Sequence, residues 1–418
     1  MRAPCCARPH GTASTARPSG GSPSAWRSAP APRRRLGRRD NQRPVLEVLF
    51  WASLALIVYT HAGYPLLLWL LARLRRTRAD RRHAPAEPPA VSLIVAAHDE
   101  ADVIAAKIEN ALALDYPRDR LELIVASDGS ADGTVEAART AGADRVLELP
   151  RGGKIRAQDA GVEAASGEIV AFTDANCRLA PDALRRLVAP FADPKVGYVC
   201  GHVRFTRDDG TNEEGAYWRY ELAVRALESG LGGVTGGNGA LYATRRDAYI
   251  VVDPRMGHDL SFPFNMVKRG WRAVYEPAAR AEEKMVPSIE GEFRRKRRMM
   301  SHTWPIVLRG GMLSPRGYGP MYALQIASHR VLRYLTPFLH VVALVTNIAL
   351  LGRGAVYTVT LALQLALLIA ALGGAIWRIR PLQLAYYYVL VTASPAAGLW
   401  DWLRRGTPAA WERAEGTR

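Results

Sequence analysis

Twenty-five consecutive residues, Val48 to Ala72, carry no formal charge and end at Arg73. At a helical rise of about 1.5 Å per residue, such a run crosses a hydrocarbon layer of about 30 Å with some tilt. The feature returns towards the other end. Tyr334–Gly352, Gly354–Trp377 and Pro381–Trp400 are also free of charges, divided by Arg353 and by Arg378 with Arg380. The expected plan is one span within residues 45–72, about three more over 334–404, and the chemistry held between them. A cleaved signal peptide would have a shorter apolar stretch and a small-residue cleavage site, so the first run reads as an anchor.

The formal net charge of +17 invites a nucleic-acid reading, so its location matters. Residues 1–44 contribute +9, residues 73–82 contribute +5 and residues 294–298 contribute +5, leaving the remainder at −2. No basic face runs through the body, which argues against nucleic acid. Arginine clusters beside an apolar span fit membrane lipids or a topology signal instead. Clusters on both sides of the first span give opposite orientations under the positive-inside rule. Residues 1–44 hold almost no large apolar side chains and are expected to be disordered. Cys5, Cys6, Cys177 and Cys200 lack zinc-site spacing and an even framework, and read as reduced thiols.

Between the anchors, residues 88–290 read as a soluble α/β domain. Val91–Ala97 and Leu121–Ala126 are short, continuous apolar runs rich in β-branched residues, the pattern of a strand covered on both faces. Ile104, Ile108 and Leu112 recur at fours between them, one buried helical stripe. Further strands are expected at Arg145–Leu149 and Ile169–Thr173, and helices at Thr134–Ala141 and Ile155–Ala165. Strand–helix alternation of this kind predicts a mostly parallel, doubly wound sheet. Ligands of such sheets sit beyond the carboxyl ends of the strands.

Four polar constellations fall in that region, in order. Ala126-Ser127-Asp128-Gly129-Ser130 offers a carboxylate that can accept hydrogen bonds from a nucleotide, or can simply cap a helix. In Thr173-Asp174-Ala175-Asn176, an extended stretch would point both polar side chains the same way. Mg²⁺ or Mn²⁺ takes such hard ligands and shares itself with substrate phosphates. Gly257-His258-Asp259 precedes a helix, and its carboxylate is suited to taking a proton from an attacking hydroxyl. Arg294-Arg295-Lys296-Arg297-Arg298, followed by Met299, supplies forks that match diphosphate oxygens, although a membrane-surface patch has the same composition.

The stretches SLIVAAHDE, ASDGSADGT, GGKIRAQDAG, FTDANCRLAPDAL, GGNGALYATRR, HDLSFPFNMVKRG and FRRKRRM, in this order, resemble a family 2 glycosyltransferase of the GT-A fold. The resemblance is to the membrane-bound subgroup of cellulose, chitin and poly-N-acetylglucosamine synthases, and it covers about residues 88–300. It implies that Asp128, with Glu100 nearby, faces the nucleoside of a UDP-sugar. Asp174 with Asn176 would match the metal-binding D-x-D motif, with Mg²⁺ or Mn²⁺ as cofactor. Asp259 would be the general base. Arg295 and Arg298 would match the Q-x-x-R-W motif as diphosphate ligands, and Lys154 would approach the same phosphates. Gly237, Asn238 and His258 would shape the acceptor pocket.

The chain departs from the family pattern at Asn176, which replaces a carboxylate, and at Arg295 and Met299, which replace Gln and Trp. The missing aromatic residue weighs against a long processive product. The resemblance implies one inverting displacement at the cytoplasmic membrane, from a nucleotide sugar to a growing glycan, giving a β-glycoside. A membrane lipid acceptor is the alternative, with room for accessory subunits. A non-catalytic nucleotide-binding regulator is a further reading. A transporter is a weaker one, since no formal charge lies inside the spans.

Overall fold

The computed structural model describes residues 43–74, 87–206, 216–284 and 288–408. The tail to residue 42 with Cys5 and Cys6, the arginines from Arg75 to Arg82, and the chain end from 409 lie outside the described residues. In chain order the helices are α1 (Arg43–Val58), α2 (Tyr64–Leu74), α3 (Ala101–Leu112), α4 (Thr134–Thr140), α5 (Lys154–Ala164), α6 (Ala183–Val188) and α7 (Ala216–Leu231). They continue with α8 (His258–Lys268), α9 (Ile289–Leu308), α10 (Pro320–Gln325), α11 (Leu332–Ala349), α12 (Ala355–Ile376) and α13 (Arg380–Arg405).

Among the described residues, eight strands form one sheet: β1 (Val91–Ala97), β2 (Leu121–Asp128), β3 (Arg145–Leu149), β4 (Ile169–Asp174), β5 (Arg178–Leu179), β6 (Val196–Thr206), β7 (Leu241–Arg245) and β8 (Arg272–Lys284). Their spatial order is β3-β2-β1-β4-β7-β6-β8-β5. The first four pair in parallel, as the strand–helix alternation predicts. Beyond β4 the sheet is mixed: β7 runs antiparallel to β4 and β6, while β6 and β8 are parallel. Leu93 and Val95 of β1 pack with Ile104 and Ile108 of α3 on one face. Ile94 packs on the other face with Phe172, Tyr242 and Phe262. Each such side chain taken fully from water contributes about 1.5–3 kcal/mol.

The parallel register fixes where chemistry can occur. Ala97 lies opposite Ser127, and Ala96 opposite Asp174, so β1, β2 and β4 end at one edge. Asp128 and Asp174 are the last residues of their strands.

Among the described residues, three helical stretches are long and apolar enough to cross a membrane: Arg43–Leu74, Pro320–Ala349 and Ala355–Ile376. The first and second each contain a π turn, at Tyr59–Gly63 and Ile326–Val331. The second begins at Pro320, whereas the charge-free stretch in the sequence begins at Tyr334. Arg330 and Arg333 interrupt that stretch without ending the helix, because both are paired inside the protein. The last charge-free stretch lies in α13, a helix from Arg380 to Arg405 that falls outside that group. Arg297 clamps α13 to α9 through Asp401, at 2.5 and 2.6 Å, and Trp304 Nε1 donates to the Pro395 carbonyl at 2.8 Å.

Candidate active site

Asp128 is almost fully buried at the end of β2. Its carboxylate accepts from Gly152 N–H at 2.6 Å, from Gly153 N–H at 2.9 Å and from the Arg151 guanidinium at 2.5 Å. Gly129 turns the chain here with φ +66°, and a Cβ on it would lie 2.8 Å from the Arg151 backbone nitrogen. No L side chain fits that turn without strain. Glu100 is buried at the start of α3, its N–H donating to Thr134 Oγ1 at 2.7 Å. Ser130 Oγ accepts from Asp99 N–H at 3.0 Å, so the Ala97–Glu100 and Ser127–Thr134 turns form one wall.

Asp174 closes β4, and a turn follows, with Cys177 N–H donating to the Asp174 carbonyl at 3.2 Å. This turn replaces the expected extended run. Asp174 Oδ1 accepts from Lys154 Nζ, which also donates to the Gly239 carbonyl at 3.2 Å. Asn176 Nδ2 points to Glu283 Oε1 at 3.5 Å. Burial works against the charge of Lys154, but Asp174, then Glu283 and Asp259, outweigh it and hold the ammonium above its ordinary value. Glu283, on β8, is raised by burial and then by Asp174.

The turn has support from behind. Lys107, buried on α3, donates to Thr173 Oγ1 at 2.8 Å and to the Cys177 carbonyl at 2.5 Å, and its ammonium is lowered by burial to about 8. Neither Glu283 nor Lys107 was marked by the sequence. Lys107 reads there as one polar residue of an amphipathic helix, and Glu283 reaches the site only through the pairing of β8 with β6.

Asp259 is the second residue of α8 and borders a small cleft with Gly257, Leu260, Met299, His302, Thr303 and Ile306. Burial raises its carboxyl, opposed first by Lys154. Its carbonyl accepts from Gly237 N–H at 2.6 Å. His302 Nδ1 lies 3.2 Å from the Arg255 carbonyl, and burial lowers its imidazole.

His258, expected at the acceptor, lies inside the core instead and does not line this cleft. Its Nδ1 is 2.7 Å from the Tyr242 hydroxyl, Phe262 packs against it with ring centroids 4.2 Å apart, and burial pushes the imidazole down to about 3. Asn238 uses its amide on backbone, donating to Gly201 O at 2.6 Å and accepting from Leu241 N–H at 2.7 Å. A Cβ on Gly237 would fall 2.0 Å from the Tyr198 hydroxyl, so this residue is glycine by necessity.

Arg295 lies on α9 and is gripped by Glu292, at 2.7 and 2.9 Å, within the field of Glu283. Arg298 lies one turn further along α9, half-buried. The structure thus gathers Lys154, Asp174, Asn176, Glu283 and Arg295 at one place, with Asp259 close enough to act on Lys154.

A parallel sheet half closed by a mixed half, with paired polar turns beyond its strand ends, defines a GT-A-type fold. Residues 92–252 match the Glycosyl transferase family 2 model, so the chain carries a family 2 glycosyltransferase domain. A mannosyltransferase from Pyrobaculum calidifontis, solved with GDP-Man and Mn²⁺, superposes with a TM-score of 0.64 at 25% identity, covering 86% of this chain and 99% of that one. The beta-monoglucosyldiacylglycerol synthase of Trichormus variabilis is 31% identical over 184 residues, 40% of this chain and 39% of its own length. The poly-beta-1,6-N-acetyl-D-glucosamine synthase of Staphylococcus aureus is 24% identical over 231 residues, 52% of this chain and 56% of its own. The chain thus spans about half the length of these two curated relatives, or less.

Proposed function

We infer that the chain is an inverting glycosyltransferase that moves a sugar from a nucleotide-sugar donor to a hydroxyl at a membrane. The observation that carries this reading is Lys154, which is bonded to Asp174 and lies within the field of Asp259. Donor-phosphate chemistry and a base are thereby adjacent.

In the reaction, Asp259 accepts the proton of the acceptor hydroxyl as its oxygen attacks the anomeric carbon. The bond from that carbon to the diphosphate oxygen breaks, and the nucleoside diphosphate leaves with the electron pair. One displacement inverts an α-linked donor to a β-product. Lys154, Arg295 and Arg298 meet the charge that develops on the leaving diphosphate, where preorganised cations are most effective. Asp174, Asn176 and Glu283 are hard oxygen donors suited to Mg²⁺ or Mn²⁺. Among the described residues they do not complete a cage of three or more His, Cys, Asp or Glu. That fits an ion which takes its remaining ligands from water and substrate phosphates. When bound, such an ion supplies positive charge against the diphosphate.

A membrane lipid is favoured over a growing glycan as acceptor. The cleft beside Asp259 is walled by Leu260, Met299 and Ile306. Of its two polar neighbours, Thr303 already donates to the Met299 carbonyl at 3.0 Å. A sugar chain would leave its hydroxyls unpaired on such a wall. The glycolipid-forming relative supports the same choice. A multi-pass arrangement with this domain towards the cytosol accords with a nucleotide-sugar donor.

Membranes carrying the protein, given UDP- and GDP-sugars with Mn²⁺ or Mg²⁺, test the reading. Metal-dependent release of nucleoside diphosphate with one organic-soluble β-glycoside is expected. A ladder of water-soluble oligomers would favour the glycan acceptor, and no release from any donor would contradict transfer.

A further inference from the structure

The segment Val234–Asn238 lies between the backbone of Asp259 and a membrane-spanning helix. On one side, Gly237 N–H donates to the Asp259 carbonyl at 2.6 Å, and Arg225 donates to the Gly237 carbonyl at 3.1 Å. On the other side, the stretch Pro320–Ala349 supplies three contacts. Tyr322 donates to the Val234 carbonyl at 2.9 Å, and Arg330 Nε donates to Thr235 Oγ1 at 2.9 Å. The Arg330 guanidinium also lies close against Gly236, where a Cβ would fall 2.4 Å from one of its nitrogens.

Arg330 is itself held by a hydrogen bond with Tyr334 and by the charges of Glu228 and Glu221. The π turn over Ile326–Val331 buries Ser328 and His329, and Arg330 beside them reaches Thr235. His329 Nδ1 is 2.9 Å from Glu228 Oε1, and Glu228 also accepts from Tyr64 at 2.5 Å and from Thr235 Oγ1 at 3.0 Å. Ser328 Oγ is 2.9 Å from the Tyr59 hydroxyl in the other π turn. The two π turns therefore touch through Tyr59 and Ser328, beside the buried Glu228 carboxylate of α7, and a π turn of this kind often marks a functional position. A buried ionic network this well satisfied favours one arrangement, since leaving a buried member unpaired is strongly disfavoured.

We propose that Arg330, from within a membrane-spanning helix, is a positioning residue for the catalytic base. It fixes Thr235 and Gly236, which fix the Gly237 N–H that holds the Asp259 backbone. The proposal rests on Asp259 being the base. It assigns no contact between Arg330 and donor, metal or acceptor. Loss of Arg330 should therefore lower turnover and leave donor recognition alone.

The test compares the intact wild-type chain with Arg330→Ala, Arg330→Lys, Gly236→Ala and the double variant Gly236→Ala/Arg330→Ala, all in membranes. Arg330→Ala should reduce kcat at least tenfold while the donor KM and nucleoside-diphosphate binding stay within about twofold. Gly236→Ala, which pushes against the same guanidinium, should give a similar loss. The double variant should be no worse than either alone, because both act through one contact. If Arg330→Ala is not recovered folded, Arg330→Lys and Gly236→Ala carry the same expectation. Unchanged kcat in the recovered variants, losses that simply multiply, or a loss confined to donor KM would overturn the proposal. Asp259→Asn runs alongside: if it turns over like wild type, the base assignment has failed. If it is dead while the Arg330 and Gly236 variants are normal, only the positioning role has failed.

Discussion

Lys154 Nζ donates to Asp174 Oδ1, so the cation that opens α5 rests on the carboxylate that closes β4. The two belong to different strand–helix units and meet because parallel pairing brings their ends to one edge. On the proposed reading, a divalent ion held at Asp174 would compete with Lys154 for the same oxygen, and the donor diphosphate would satisfy both.

That competition sets the first prediction. Lys154→Met should raise the affinity of the donor-free protein for Mn²⁺, read by the loss of free-ion signal in electron paramagnetic resonance. In the same variant, donor turnover should fall. Mn²⁺ affinity that weakens or stays constant would place Lys154 away from the ion.

Glu283 supplies the second. Glu283→Gln keeps the shape but removes a carboxylate beside Asp174 and Asn176, and should weaken Mn²⁺-dependent donor binding by about tenfold. Metal-independent binding of nucleoside diphosphate at Asp128 should hardly change. Equal losses with and without metal, measured by calorimetry, would show that Glu283 supports only the fold.

The pH profile is the third. A base works ionised, and burial raises the Asp259 carboxyl above its ordinary value of 3.8, with Lys154 the first group opposing that rise. Activity is present above the raised pKa and is lost as pH falls through it. The acid limb of kcat/KM should therefore lie above the ordinary aspartate range. Removing the Lys154 charge takes away a cation that favours the ionised carboxylate, so Lys154→Met should move that limb to higher pH. A limb that stays put would separate the two residues.

Gly129 yields a stability prediction. Gly129→Ala forces a side chain into φ +66° and against Arg151, which should cost about 1–3 kcal/mol and lower the melting temperature. Donor affinity should fall with it, because the same turn carries Asp128. An unchanged melting temperature would mean the Arg151 loop yields freely.

Much of this arrangement was legible in the chain. β1, β2 and β4 announce themselves because parallel strands covered on both faces read as near-continuous apolar runs, whereas β3, RVLEL at the sheet edge, is legible only from the strand–helix alternation. The later half of the sheet is not legible in this way. β8 reads RAVYEPAARAEEK, and register shifts interrupt its pairing with β6, so no single period survives. Glu283 was invisible for that reason. His258 was misplaced because its sequence neighbour is Asp259. At the start of α8 the two side chains diverge, one towards the cleft and one into the aromatic core. The helix beginning at Pro320 was hidden by Arg330 and Arg333, charges whose partners, Thr235 and Glu221, lie about a hundred positions away.

The central claim is that Asp259 takes the acceptor's proton while the donor is held elsewhere. The most direct measurement is nucleoside-diphosphate release from the active donor by wild type and Asp259→Asn, with binding of the same diphosphate measured on both. The account predicts turnover lower by about 10²-fold or more with binding retained, in keeping with general-base contributions. Wild-type turnover in the variant, or loss of binding equal to the loss of rate, would contradict it.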